Sequence, residues 1–362
     1  MPKVAYILQF SKENKEQGYN TLGHMQKHQS NTLFFLSLEN RLELCQFLAV
    51  SMSELEAIIN TPVYAHYTVK KKRGGERHIF APEKRLKQIQ KRLNYFLQAY
   101  YLWIKPSEVH GFVINPHYLR KHCNIAANAK VHTGKKHLLN IDLKDFFPSI
   151  SAKRIKDFFT SSYFNFSEQI AIALTLLTTY EAKLPTGAPT SPVLSNFICL
   201  ELDADLRTFC QQNDLRFTRY ADDLTFSSDA FIAQETVENI KKLIVKNGFE
   251  INEKKLRMQS YNRRQTVTGL TVNKKVNVER KLLKKIRAML HDLTKNGIDA
   301  ATKKHFHLNT ITDDKLYNRF IFRLEGYINF VGQIRGKNDA VYLKLKQSFS
   351  GKMNMIFFTQ SL

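Results

Sequence analysis

Two adjacent carboxylates, Asp222 and Asp223, stand between apolar segments of the chain. Across residues 215–227 apolar side chains alternate with polar ones, which is the pattern of half-buried strands. The pattern therefore predicts two short strands joined by a tight turn, with both carboxylates at the tip. The apolar positions are Phe217, Tyr220, Leu224 and Phe226.

A second apolar segment, residues 137–148, also predicts a strand. It carries Asp142 near its end, and Pro148 stops it because proline cannot continue a sheet ladder. A third carboxylate is thus expected at a strand end.

The rest of the chain alternates between helical and extended patterns. This element order predicts an α+β fold, in which a basic hairpin region precedes a sheet with helices and a helical bundle follows it. Helical spacing covers 32–59, 82–104, 151–180, 193–206, 228–247 and most of 279–362, and we expect extended structure at 67–80, 248–252 and 266–272.

Asp142, Asp222 and Asp223 together offer hard oxygen ligands for two Mg²⁺ ions. Two such ions about 3.5–4 Å apart can activate an attacking hydroxyl and stabilise a leaving pyrophosphate. The alternative is a polar turn, since aspartate is a common turn former.

The charge balance points to a polyanionic partner. Lys and Arg number 55 against 32 Asp and Glu, a formal net charge of +23 among 362 residues. Such a surplus favours salt-sensitive binding of nucleic acid. A membrane surface is the competing polyanion, but no stretch approaches the ~18 apolar residues of a spanning helix. The first residues lack a signal-peptide pattern, and the four cysteines lack paired spacing, so we expect free thiols and a cytoplasmic protein.

Two loops carry groups suited to phosphate. The predicted hairpin at 67–80 has a cluster of cations around Gly74-Gly75; it is either a solvated tip or a clamp for triphosphate or template. The loop 184–192 is dense in proline and glycine and leads into a helix, whose first N–H groups could receive an anion.

In this order, these segments resemble those of reverse transcriptases, specifically the bacterial retron group, from roughly Tyr67 to Gly336. The segment 140–150 resembles the first catalytic motif of the family, 184–192 its substrate-binding loop, and Tyr220-Ala-Asp-Asp223 its catalytic turn. Residues 110–113 and 248–255 are similar to the family elements before the palm and after the turn.

Two short strings are similar to the retron group in particular. Asn128-Ala-Lys-Val-His132 fits its N-A-x-x-H pattern, and Val267-Thr268-Gly269 fits its V-T-G. One departure is Thr186, where many relatives have glutamine.

The resemblance implies roles for individual residues. Asp142 and Asp222 would coordinate the metal pair with help from Asp223, and Phe147 would exclude a ribose 2′-OH; the alternative for Phe147 is an ordinary core position, which Phe146 fits equally well. Nucleotide contacts are expected from Gly187, Lys72 and Arg77, and RNA contacts from Asn128, His132, Val267, Thr268, Gly269, Lys284, Lys285 and Arg287. For Asn128 and His132 the alternative is a local hydrogen-bond pair.

The implied organisation is a right-hand polymerase. We expect an N-terminal helical lead-in at 1–62, fingers at 63–140, a palm at 141–272 and a basic helical thumb at 273–362. The implied partners are a structured non-coding RNA, its DNA product, dNTPs and an effector protein of the same anti-phage system, with no membrane.

The implied reaction is copying of that RNA into single-stranded DNA from a 2′-OH, giving a branched hybrid. The alternatives are another defence-associated or group II intron-like reverse transcriptase, and an RNA-binding scaffold without catalysis.

Overall fold

The computed structural model describes residues 30, 32–71, 74–116, 123–311 and 313–359, with side chains up to residue 351. Most of the predicted lead-in before residue 32, and the candidate nucleotide contact Lys72, lie outside the described residues. The chain divides into two compact units, one of residues 1–128 and 137–258, the other of residues 129–136 and 259–362. Within the described part, no helix is long and apolar enough to cross a membrane.

A four-stranded sheet carries the first unit, with strand order β4-β5-β3-β6. The central pair is antiparallel, and its register places Asp142 opposite Asp223 and Leu139 opposite Phe226. Inward-facing residues of this pair are fully buried, as the alternating pattern predicts. The strands are β3 His137–Asp142, β4 Arg216–Tyr220, β5 Asp223–Ser228 and β6 Arg257–Ser260.

Helices surround this sheet and, except for the short helix at 125–131, share one aromatic-rich core, in which Phe164 and Phe197 are completely buried. The helices are α1 Arg41–Leu48, α2 Met52–Asn60, α3 Lys84–Ile104, α4 Ile125–Val131, α5 Ala152–Thr160, α6 Glu168–Thr178, α7 Ser191–Ile198, α8 Leu200–Gln212 and α9 Gln234–Lys246.

Two predicted helices are each divided in the structure. The segment 151–180 forms α5 and α6, because the chain between them turns through Asn165 in a left-handed conformation, φ 50°. The segment 193–206 belongs to α7 and α8, which meet at Cys199. Helical periodicity alone did not reveal either break, since buried apolar residues continue across both.

The basic hairpin is confirmed as two antiparallel strands, β1 Tyr64–Lys70 and β2 Glu76–Pro82, with Lys70 opposite Glu76. Its second strand is fastened to the proline-rich loop, because the Phe80 N–H donates to the Thr186 carbonyl at 2.7 Å. The hairpin therefore stands beside the loop and the sheet edge of the same unit.

The second unit is mostly helical, as predicted for 279–362. It contains α10 Arg280–Phe306, which is interrupted at Gly297 (φ 75°), α11 Lys315–Arg335 and α12 Ala340–Thr359. A small hairpin precedes them, with β7 Thr266–Val267 paired to β8 Leu270–Thr271.

Two strand predictions are wrong. Residues 248–252 form no strand, and Ile251 makes only an isolated bridge to Leu143, because the chain turns into a short 3₁₀ helix at Glu253–Lys255. The segment 266–272 is not one strand but the β7–β8 hairpin, with a turn at Thr268-Gly269.

Candidate active site

The three candidate aspartates lie together at one edge of the sheet. Asp142 is the last residue of β3 and stands opposite Asp223, the first residue of β5. Asp222 occupies the loop between β4 and β5, and its carbonyl accepts the Leu143 N–H at 3.0 Å. Strand pairing thus brings residues 80 positions apart in sequence to a single edge, as the two sequence segments predicted.

The loop that carries Asp222 is a two-residue turn, Ala221-Asp222, closed by the pairing of Tyr220 with Asp223. We call Tyr220–Asp223 the aspartate turn. Ala221 has a φ of 59°, so the turn begins with a left-handed residue, where hairpins of this length usually have glycine. The conformation costs an alanine roughly 1–2 kcal/mol, which surrounding contacts must supply.

Both carboxylates of the aspartate turn have raised pKa values. Burial raises the pKa of Asp222, and the nearby charge of Asp142 raises it further. Burial, together with the charges of Asp222 and Asp142, raises the pKa of Asp223 to about 6. Neighbouring carboxylates therefore make Asp222 and Asp223 harder to ionise, which is the electrostatic situation that a bound cation relieves.

Lys255 supplies the positive charge that faces Asp142. Its Nζ lies 2.8 Å from Oδ1 and 2.8 Å from Oδ2 of that carboxylate. Asn252 adds a longer bond from its amide to Oδ2, at 3.3 Å. Sequence reasoning assigned neither residue a role, although both lie in the segment 248–255 that resembles a family motif.

The donor set fits a hard divalent cation, because all three side chains are carboxylates and Asp222 and Asp223 have no side-chain ion pair among the described residues. As the side chains stand, no group of three metal-type ligands is preassembled in the described part of the chain. The ammonium of Lys255 instead holds Asp142. A cation entering the site would therefore compete with Lys255 for that carboxylate.

A cleft of about 590 Å³ opens beside this edge, between the β1–β2 hairpin and the sheet. Its lining combines five acidic residues (Asp142, Asp222, Glu76, Asp145 and Glu181) with five cations and six aromatic residues. The cations are Lys71, Arg77, Lys144, Lys183 and Lys255, and the aromatic residues are His78, Phe80, Phe112, Phe146, Phe147 and Tyr180. The charge pattern suits a ligand with several phosphates and a flat apolar ring.

Phe146 and Phe147 both line the cleft, but Phe147 is half-buried whereas Phe146 is only 7% exposed and packs against Phe249. The ring of Phe147 stacks on Phe112, with centroids 5.8 Å apart and planes inclined by 26°. The two phenylalanines, which the sequence left as equal candidates, are thus placed differently.

The other expected nucleotide contacts are placed unevenly. Arg77 lines the cleft, and its charge lowers the pKa of Asp222 slightly against the effect of burial. Gly187 lies against β2, where an added methyl carbon would stand 2.9 Å from the Phe80 carbonyl oxygen, and its φ of 121° also favours glycine. Its neighbour Thr186 lines the cleft. Lys71 is an additional cation there that the sequence reasoning did not single out.

A buried ion pair lies directly behind the aspartate turn. Arg219 and Asp203 are both 0% exposed, and two guanidinium nitrogens each donate to a carboxylate oxygen at 2.7 Å. Burial opposes the charge on Arg219, but the Asp203 carboxylate outweighs it and raises the pKa of the guanidinium. Arg219 also donates to the Ala221 carbonyl at 3.3 Å, inside the turn. The sequence signal for this pair is an arginine within an apolar strand, Arg219, which the sequence predictions gave no role.

The two residues of the N-A-x-x-H string are buried, Asn128 at 1% and His132 at 0% exposure. The side-chain amide of Asn128 has no hydrogen-bond partner among the described residues on either its oxygen or its nitrogen. Their α4 helix is capped by Asn124, whose side chain accepts from the Ala126 and Ala127 N–H groups.

The V-T-G string forms a tight turn of the second unit. Val267 is buried in β7, while Thr268 (φ 46°) and Gly269 (φ 82°) make the two-residue loop, with Gly269 exposed at the tip. Two successive left-handed residues are the mark of a type I′ hairpin. The threonine hydroxyl has no partner among the described residues.

The basic residues at the start of α10 are all exposed. We call Lys281, Lys284, Lys285 and Arg287 the α10 basic face. Lys285 rests on Tyr327, with its Nζ 5.1 Å from the ring centroid, and the four residues form no ion pair with another described residue.

The sequence model of the reverse transcriptase (RNA-dependent DNA polymerase) family matches residues 69–273. This match covers more than half of the chain and includes the aspartate edge, the cleft and the V-T-G turn. The chain therefore belongs to the reverse transcriptase family, with the α+β fold that the element order predicted.

Within that family its relatives are retron enzymes. The chain is 33% identical to the retron Mx65 reverse transcriptase of Myxococcus xanthus, over 67% of this chain and 58% of the relative. It is 32% identical to the retron Ec86 reverse transcriptase of Escherichia coli, over 71% of this chain and 78% of the relative. The retron Ec73 enzyme of the same species is 30% identical, over 80% and 88%. The chain is thus a member of the bacterial retron group of reverse transcriptases.

Proposed function

We propose that this chain copies a structured non-coding RNA into single-stranded DNA. The observation that carries the proposal is the meeting of Asp142, Asp222 and Asp223 at one sheet edge beside a cation-lined cleft. The chain that carries this site is 32% identical to the retron Ec86 reverse transcriptase and covers 78% of that relative's length.

The three aspartates would hold two Mg²⁺ ions, and the ions when bound would activate the primer hydroxyl and stabilise the leaving pyrophosphate. Asp142 and Asp222 would be the principal ligands and Asp223 an assisting one. Lys255 lies 2.8 Å from the Asp142 carboxylate and would lower the net negative charge that the metal ions meet there. The relief of repulsion among the carboxylates would favour ionisation of Asp222 and Asp223 when the cations bind.

The cleft would take the incoming dNTP. Arg77 and Lys71, which line the cleft, would meet its triphosphate together with Lys72, and Lys183 is a further cation of the lining. The Phe147 ring would stand under the sugar and leave no room for a 2′-OH, which selects deoxynucleotides. Gly187 would act indirectly, since its lack of a side chain lets the loop reach β2 and shape the cleft.

RNA recognition would use both retron-specific strings and the second unit. The exposed tip of the Val267-Thr268-Gly269 turn is Gly269, which would approach RNA closely because it carries no side chain. The buried Asn128 and His132 would shape the RNA-facing surface. The α10 basic face, including Lys284, Lys285 and Arg287, would hold duplex phosphates.

Priming would start from an internal ribose 2′-OH of the RNA, so the product would be a branched RNA–DNA hybrid. We further propose a role in anti-phage defence together with an effector protein, in the cytoplasm, where the four free cysteines would stay reduced.

The test is to purify the protein with its RNA from the native host and to sequence and size the attached DNA. We expect RNase followed by a debranching enzyme to release DNA, because the join would be a 2′,5′ linkage. DNA that is free-ended throughout, or attached to protein, would contradict retron priming while leaving the polymerase assignment intact.

A matched pair of variants tests the catalytic assignment itself. Asp222→Asn should abolish dNTP incorporation because it removes a metal-binding charge, with RNA binding retained. Asp214→Asn is the control, since it makes the same chemical change just before β4, at the end of that strand away from the aspartate turn. Incorporation by Asp222→Asn above about one per cent of wild type would refute the metal assignment.

A further inference from the structure

Phe112, the residue beneath the Phe147 ring, is held in an unusual backbone conformation. Its φ is 58°, in the left-handed region that bulky residues rarely adopt, so surrounding contacts must stabilise it. Two buried side-chain amides hold its carbonyl oxygen in place: Gln98 Nε2 donates at 3.1 Å and Asn196 Nδ2 at 3.3 Å. The backbone of Phe112, whose ring stacks on Phe147, is therefore held by two side-chain hydrogen bonds.

Asn196 joins this segment to the aspartate turn. It is 0% exposed, and its Nδ2 also donates to the Gly111 carbonyl at 3.1 Å. Its Oδ1 accepts from Arg219 Nη1 at 2.9 Å, and the same nitrogen lies 3.3 Å from the Ala221 carbonyl. The Asn196 amide thus donates to the backbone at Gly111 and Phe112 and accepts from Arg219, which in turn bonds to the aspartate turn.

We propose that Phe112 is a positioning residue for sugar discrimination, and that Asn196 fixes its distance from the aspartate turn. The proposal rests on the proposed role of Phe147 as the barrier to a ribose 2′-OH. A barrier against one oxygen atom works only while the ring cannot retreat by about an ångström, since discrimination of this kind comes from a steric clash. Phe112 stacked at 5.8 Å closes the space into which Phe147 would move.

A purely structural role for these residues predicts a different outcome. Removing a buried hydrogen-bonding amide destabilises any protein, and it would lower incorporation of both sugars together. A positioning role changes the ratio of the two sugars. That ratio is measured within one preparation, so partial unfolding cancels from it.

The experiment compares kcat/KM for a dNTP and the matching rNTP in Phe112→Ala, Asn196→Ala and Phe147→Val. We expect each variant to lower the deoxy-to-ribo ratio by roughly tenfold or more. Asn247→Ala is the matched control, because its amide also makes two donated bonds, to Asp205 and to the Leu243 carbonyl. We expect that control to keep the wild-type ratio.

Double variants decide whether Phe112 acts through Phe147. With Phe147→Val already present, adding Phe112→Ala or Asn196→Ala should change the ratio no further, because the barrier they support is gone. If Phe112→Ala does not fold, Phe112→Leu keeps most of the volume without the flat stacking face and should lower the ratio by a smaller factor.

The possible failures are distinct. If Phe147→Val relaxes the ratio while the single changes at Phe112 and Asn196 leave it unchanged, the positioning role is refuted and the barrier stands. If Phe147→Val leaves the ratio unchanged, the barrier assigned under the proposed function is wrong and the positioning role falls with it. Full additivity in the double variants would also refute the inference.

Discussion

Gly111 packs against the backbone of the aspartate turn, so Gly111→Ala tests whether that turn must be held in place. A methyl carbon at Gly111 would overlap the Ala221 nitrogen and stand 2.9 Å from the Tyr220 carbonyl carbon. Both neighbours are backbone atoms, so rotation of a side chain cannot relieve the overlap. The turn, the Gly111 segment or both must move.

The size of the displacement follows from ordinary packing distances. Non-bonded heavy atoms in contact lie about 3.5 Å apart, so relieving the overlap with the Ala221 nitrogen needs a shift of roughly 1 Å. Misplacement of reacting groups by about 1 Å costs on the order of 10²-fold in rate. Overpacking of this kind destabilises a protein by about 1–3 kcal/mol, which a large unit can tolerate while remaining folded. We therefore expect a folded, RNA-binding protein with about one per cent of wild-type activity.

The assay is single-turnover incorporation of one dNTP at saturating Mg²⁺, with RNA binding measured on the same preparation. Gly351→Ala is the control, because it makes the same change in α12, where nothing lies within 4 Å of the added carbon. The control should keep full activity. If Gly111→Ala retains half or more of the wild-type rate, the turn yields without cost, and the claim that its position is fixed by Gly111 is refuted.

Three further predictions concern charge. Replacing all four residues of the α10 basic face with glutamine should reduce the slope of log binding constant against log salt concentration for RNA by up to about 3, since each lost phosphate contact lowers it by roughly 0.7–0.9. An unchanged slope would mean that this face contacts solvent and not RNA. Asp203→Asn should lower the free energy of unfolding in urea by about 3–5 kcal/mol, because it leaves the Arg219 charge buried and unpaired; a loss under about 1 kcal/mol would contradict this. Burial lowers the pKa of His110 to about 4. The unfolded chain therefore binds a proton on His110 below about pH 6.5, whereas the folded chain binds it only near pH 4. The free energy of unfolding should then fall by roughly 2 kcal/mol from pH 7 to pH 5 in the wild type and by less in His110→Gln; an equal fall in both proteins would refute this role of His110.

The aspartate edge could be predicted from the sequence because it depends on local signals. Alternation of apolar and polar residues predicts β4 and β5, an apolar segment predicts β3, and a strand's period of two leaves little freedom in register. Once the strands pair, Asp142 and Asp223 must stand opposite each other. The composition of the hairpin at residues 67–80 was equally informative, since glycines between two polar-apolar runs define its turn.

Residues that act through long-range contacts could not be predicted in the same way. Lys255 lies 113 positions from Asp142 in sequence, and nothing in a run of lysines tells which of them turns toward a carboxylate. Asn196 lies in an apolar helix and appears there as a minor interruption. Buried polar residues depend on partners that only the folded chain assembles, so periodicity can predict that they are buried but not what they bond.

The buried Arg219–Asp203 pair explains how the chain keeps a strained, self-repelling turn in one place. The turn begins with a left-handed alanine and carries two adjacent carboxylates, each a destabilising feature. A buried ion pair is a weak source of net stability, because desolvation offsets most of its attraction. Its two 2.7 Å bonds are directional, however, and they leave one guanidinium nitrogen pointing at the Ala221 carbonyl and the Asn196 amide. We infer that the pair contributes geometry more than stability. A hydrophobic replacement of both residues could therefore fold and still misplace Asp222, which would separate the two contributions.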